Sequence, residues 1–124
     1  MSDPRHDLGR SGEQAAERFL SSLGFKTLAR RFNTPAGELD LVMRDGPTVV
    51  FIEVKTQQDS VWLDPQERVD ARKQTRLLRA AKWFVVQHRL EDRPLRFDVL
   101  AVILPSAGDP RITHIREAFA PDRW

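Results

Sequence analysis

Apolar positions recur along this chain in two rhythms. Ala15, Ala16, Phe19, Leu20 and Leu23 fall on one face at helical spacing, with Ser11 placed to cap the helix and Gly24 placed to stop it. The polar stretch Met1–Arg10, which contains Pro4, is expected to fray, leaving 11–124 as a single domain. Phe25–Phe32 reads as a first strand, although Lys and Arg interrupt it. The rhythm then tightens to that of strands. Glu38–Met43 and Val49–Lys55 flank Arg44-Asp45-Gly46-Pro47, and an Asp-Gly pair between apolar runs predicts a hairpin.

Gln57–Leu63 reads as a loop. A second helix follows, running to about His88 with Leu77, Leu78, Ala81, Phe84 and Val85 on its apolar face. Two starts compete for it. Asp64-Pro65-Gln66-Glu67 has the form of a capping box with Pro at the first helical position, whereas Asp70 would cap a shorter helix. Leu95–Leu104 is apolar nearly throughout, as in a strand covered on both faces, and Arg111–Ile115 suits a short edge strand. The order α-β-β-β-α-β, with a possible last strand, predicts an α/β fold: a mixed central sheet flanked by helices.

Composition narrows the chemistry. The 124 residues suffice for one hydrophobic core, and 40% hydrophobic with 31% charged residues is ordinary for a globular domain. There is no cysteine, which removes disulfides, thiolate metal sites and cysteine nucleophiles together. The longest nearly apolar stretch, Ala80–Val86, is far below the ~20 residues that cross a bilayer. Met1–Gly12 has no apolar core of the signal-peptide kind, so the expected compartment is the cytoplasm, with no membrane partner. A net charge of +2 decides nothing about partners.

The candidate chemistry lies at the end of the third strand. Val49, Phe51, Glu53 and Lys55 share one face, while Val50, Ile52 and Val54 point to the other. With a two-residue hairpin loop, Asp40 falls opposite residue 51 or 53, on the face of Glu53 in either register. Two carboxylates so close repel and call for a cation, and hard ions such as Mg²⁺ or Mn²⁺ take oxygen ligands of this kind. The backbone carbonyl of Val54 would be a third oxygen. Lys55 would orient an attacking water and stabilise charge on a phosphate. Glu13, at the margin of the first helix's apolar face, is a fourth candidate, although it would equally complement the helix dipole as a first-turn acid.

An early helical Glu, an Asp on one strand and Glu-x-Lys on the next resemble the PD-(D/E)xK nuclease superfamily. More closely, the chain resembles the YraN-like family of bacterial proteins, grouped with endonucleases but with little established biochemistry. The resemblance rests on Gly12-Glu13 with Ala16, Gly37-Glu38-Leu39-Asp40-Leu41 and Val50-Phe51-Ile52-Glu53-Val54-Lys55-Thr56. Lys73-Gln74 with Leu77 and Ala81, and Arg96-Phe97-Asp98-Val99, extend it over nearly the whole chain beyond residue 10. It implies the restriction-endonuclease-like core, with Glu13, Asp40, Glu53 and Lys55 at a metal site acting on nucleic acid, DNA in the first instance. Gln57 departs from it, since the family commonly has an arginine after the Lys-Thr pair. Analogy with junction resolvases implies a homodimer.

Other residues bear on binding. Arg72, Arg76 and Arg79 line one helical face beside Trp83, either tracking a nucleic-acid backbone or lying as a solvated face. Lys73, at the edge of the apolar face and matching a family lysine, is the better candidate for a phosphate contact. Arg96 and Asp98 are expected to tie the fourth strand to its neighbours, Gln74 and His88 to be satisfied core polar groups, and Gly37 to serve the backbone. His6, His88 and His114 are too scattered for a zinc site. The nuclease expectation stands against two others: a nucleic-acid-binding module without catalysis, and an interaction protein that keeps the fold.

Overall fold

The computed structural model describes residues 4–58 and 70–120. The elements are α1 (Pro4–Ser22), β1 (Lys26–Thr34), β2 (Gly37–Asp45), β3 (Thr48–Gln58), α2 (Ala71–Gln87), β4 (Leu95–Leu104) and β5 (Arg111–Phe119). The strands form one sheet in the order β1-β2-β3-β4-β5. All neighbours are antiparallel except β3 and β4, which run parallel. A parallel pair cannot be closed by a tight turn, and the connection between these two carries α2.

The helices cover opposite faces of the sheet. Ala15, Ala16 and Leu20 of α1 pack with Leu41, Met43, Val50, Ile52, Leu100 and Val102. Leu77, Ala80, Ala81, Phe84 and Val85 of α2 pack with Val42, Val49, Phe51, Phe97 and Val99. Consecutive residues of β3 therefore go to different cores, which is why its apolar run is unbroken. Phe84, fully buried, meets the Phe32 and Phe51 rings edge-on, with centroids 5.1 and 5.9 Å away. α1 comes especially close to the end of β3: a Cβ added to Gly12 would lie 1.8 Å from the Thr56 hydroxyl oxygen.

Several boundaries differ from those expected. α1 begins at Pro4 rather than at a Ser11 cap, because proline suits the opening turn of a helix and Asp7 complements the dipole there. Leu23 lies past the helix and is 55% exposed. Gln57 and Gln58 belong to β3, not to a loop, because parallel pairing with Ile103 and Leu104 continues through them. Of the two starts for the second helix, Asp70 caps α2, its carboxylate accepting the Lys73 N–H at 2.9 Å. The rival start at Asp64 lies outside the described residues. His88 is an exposed C-cap whose ring stacks on Phe84, not a core group. β5 runs on to Phe119, four residues beyond the expected edge strand, because it stays paired with β4 past a bulge between Phe97 and Val99. Among the described residues, no helix is long and apolar enough to cross a membrane.

Candidate active site

The β2–β3 hairpin sets the geometry. Asp45 pairs with Thr48, so the loop is Gly46-Pro47, and Gly46 has φ +59°, which the first position of a type II′ turn requires. Counting back along the ladder, Leu41 pairs with Ile52 and the next positions are Asp40 and Glu53. Regular pairing stops there. Instead, the Val54 N–H donates to Asp40 Oδ2 at 3.0 Å, so a side chain takes the place of a ladder carbonyl.

The irregularity is shared by β1. Leu39 packs on the α2 side and Leu41 on the α1 side, so alternation slips at Asp40. Across the β1–β2 ladder, Arg30 pairs with Leu41 and Phe32 with Leu39, which leaves Arg31 opposite Asp40. Arg31 has φ +47°, a conformation that costs an L-residue about 1–2 kcal/mol. This turn of the backbone lets Arg31 donate from Nε to Glu13 Oε1 at 2.7 Å.

Glu53 is 8% exposed and held by two ammonium groups. Lys55 Nζ lies 3.3 Å and Lys73 Nζ 2.5 Å from the same oxygen, Oε1. Among the described residues no cation makes such a direct pair with Asp40, although the charges of Lys73 and Arg31 act on it from farther away. Burial, and then the charge of Glu53, push its carboxyl up to about 7, against the stabilising Val54 N–H. Burial, followed by the neighbouring Lys73, pulls Lys55 below its ordinary value. For Lys73, burial is the largest single influence, but the hydrogen bonds to Glu53 and Lys55 and the charges of Glu53 and Asp40 together outweigh it, and its pKa rises.

A cavity of about 240 Å³ opens between this cluster and α2, lined by Asp40, Glu53, Lys73, Arg76, Gly37 and Leu77 among others. Gly37 has φ +137° and serves the backbone, as expected. The structure thus brings together Asp40, Glu53, Lys55 and Lys73. Glu13 lines no part of that cavity and is paired to Arg31, although its charge still acts on Asp40. Arg76 is exposed at the cavity rim, and Arg72 is exposed one turn earlier on α2. Arg31 escaped the sequence reading altogether, because nothing in its neighbourhood marks a left-handed residue facing an acid.

Asp40, Glu53 and the Val54 carbonyl form a hard, all-oxygen donor set that fits a divalent cation using water and phosphate oxygens for its remaining ligands. The fit is supported by the surroundings of Asp40, a partly buried acid beside another acid that, among the described residues, forms no ion pair within 4 Å. Among the described residues, no three His, Asp or Glu side chains converge closely enough to cage an ion by themselves.

Comparison with known proteins agrees with the sequence pattern. The family described as "Uncharacterised protein family UPF0102" matches residues 12–102. A UPF0102 protein of Syntrophotalea carbinolica is 41% identical over 124 residues, covering all of both chains. One from Geotalea daltonii is 41% identical over 112 residues, 90% of this chain and 88% of its own. One from Frankia casuarinae is 43% identical over 112 residues, 90% of this chain and 95% of its own.

Proposed function

The chain belongs to the UPF0102 family, the YraN-like group, and on that premise we propose that it is a metal-dependent nuclease hydrolysing phosphodiester bonds of nucleic acid. The observation that carries the reading is the meeting of Asp40 and Glu53 at a break in the β2–β3 ladder, with Lys55 beside them. A structural role would favour a continued ladder and a neutralised pair. Asp40, Glu53 and the Val54 carbonyl would hold Mg²⁺ or Mn²⁺, which supplies Lewis acidity and makes hydroxide accessible near neutral pH.

The protein's own groups do the rest. Lys55, in contact with Glu53, has an ammonium placed to hold the attacking water and to pair with charge growing on a non-bridging phosphate oxygen. Lys73, paired with Glu53 on the wall of the same cavity, would be within reach of a phosphate bound beside Glu53. Arg76 at the cavity rim fits a flanking phosphate. Glu13 keeps Arg31, and through it the edge of the acid pair, in position.

A second reading, a binding module without catalysis, is favoured by the two lysines that already neutralise Glu53. One panel separates the two. Labelled single-stranded, duplex, flapped and four-way DNA, and RNA, would be incubated with Mg²⁺ or Mn²⁺. Cleavage by wild type, absent in Glu53→Gln and reduced about 10²–10³-fold in Lys55→Ala, is expected of the nuclease. Salt-dependent binding with no cleavage of any substrate would move the protein to the second reading.

A further inference from the structure

The charge of this protein is not spread evenly. α2 carries Arg72, Lys73, Arg76, Arg79 and Lys82 and no acid, although the whole chain is only +2. Such a helix is poorly built for its own stability. Bases in its first turn oppose the helix dipole, and like charges three and four residues apart repel one another. Lys73 turns inward to Glu53, and the others remain outside.

Arg72, Arg76, Arg79, Trp83 and Val86 follow one another at three- and four-residue steps, and so form one stripe along the helix. Trp83 is 51% and Val86 63% exposed. They line a shallow groove of about 390 Å³ with Ala36, Arg79 and Lys82. This groove adjoins the candidate active site: Ala36 lines one and Gly37 the other, while Arg76 and Arg79 sit one turn apart on their common wall.

We infer that this stripe of α2 is the track of a single-stranded DNA segment leaving the active site, with Trp83 stacking on one of its bases. The inference rests on the proposed function and deepens it by naming the substrate class. A strand needs cations for its phosphates and an aromatic face for an unpaired base, and the stripe alternates these along one line. A stacked base inside a duplex would not be available to Trp83. The walls around Trp83 are otherwise Ala36, Val86, Arg79 and Lys82, a largely apolar surface of the kind that takes the methyl group of thymine, which uracil lacks. A second copy of this chain would bring the same bases against these and be repelled. Trp83 lies about 10 Å along the helix from Arg76, roughly three stacked nucleotides from the cavity.

The test reads binding alone, by fluorescence anisotropy of labelled dT15, rU15 and a 15-base-pair duplex with the full-length protein in EDTA. Wild type should bind dT15 more tightly than the other two, with affinity falling as salt rises. Trp83→Ala should weaken dT15 binding about 5- to 150-fold without changing the salt slope, and Trp83→Phe should retain most of the affinity. Arg79→Ala should lower the slope by about 0.7. Trp83→Ala binding dT15 like wild type, or rU15 binding at least as tightly as dT15, would overturn the inference. So would a change in the sedimentation of the unliganded protein on Trp83→Ala, which would make the stripe a protein interface. Binding through Trp83 by a protein that cuts no substrate would support this inference and sink the nuclease reading alone.

Discussion

Two aspartates on strands of the same sheet, one buried and one partly buried, have opposite surroundings. Asp98 on β4 has a fully buried side chain and accepts from four donors: Arg96 Nε and Nη2 at 2.9 and 3.0 Å, His114 Nε2 at 2.8 Å and the Glu117 N–H at 3.1 Å. Burial alone would raise its pKa, but His114, Arg96 and Glu117 N outweigh burial and hold it below its ordinary value. Asp40 on β2 accepts the Val54 N–H, faces a second acid and is pushed up to about 7. The first aspartate is complete as it stands. The second has an environment that a cation would complete. The contrast is between an acid whose partners the fold supplies and one whose surroundings would suit a ligand.

The contrast can be broken at its strong end. Asp98→Ala would leave the Arg96 guanidinium, which also reaches Asp45 at 3.1 Å, buried without its main partner. A loss of about 3–5 kcal/mol in urea-unfolding free energy is expected, with Asp98→Asn intermediate. Asp98→Ala as stable as wild type would remove the structural role.

At the other end the sign reverses. Asp40 keeps its proton to about pH 7 in the folded protein, whereas an unfolded aspartate releases it at pH ~4. Between those values the unfolded chain binds fewer protons, so stability falls as pH rises, by up to a few kcal/mol, and then levels. Asp40→Asn keeps an acceptor for Val54 N–H and should flatten that slope in urea midpoints measured from pH 4.5 to 8. Mg²⁺ should raise the wild-type midpoint more at pH 8 than at pH 5, where protons compete for the site. An Asp40→Asn protein with the wild-type slope would refute the assignment. Asp98 acts in the opposite arm, its stabilisation being present above pH ~4 and lost as pH falls through its depressed folded value.

The smallest effect sharpens the comparison by its absence. Arg116 reaches Asp45 at 3.2 Å, but its side chain is 59% exposed. Arg116→Ala should change stability by no more than about 0.5 kcal/mol, and a larger loss would place this outer pair within the Asp98 network.

What could be read before the structure was whatever local pattern dictates. The hairpin around Gly46, the buried runs of β3 and β4, Asp70 as one of two candidate caps and the common face of Asp40 and Glu53 follow from periodicity and turn chemistry over a few residues. What escaped depends on contacts made by register. His114 looked isolated along the chain, yet its pairing with Leu100 sets it diagonally across from Asp98. Lys73 was legible at the edge of the apolar face of α2, but its ion pair with Glu53 requires α2 to dock over β3. Arg31 joins Glu13 through a backbone conformation that no residue type announces. Pro4 misled because a proline that breaks a helix interior also opens one.

The Gly46-Pro47 loop has a consequence for how such a chain can change. Surface loops ordinarily absorb insertions and deletions, and their lengths drift freely. This one meters the two strands that bear the acids, and a single added residue without a compensating bulge would slide Asp40 from Glu53 toward Ile52 and onto the opposite face. Its length is therefore tied to Asp40 and Glu53, so that a two-residue turn six residues along the chain from either acid becomes as constrained as the acids themselves.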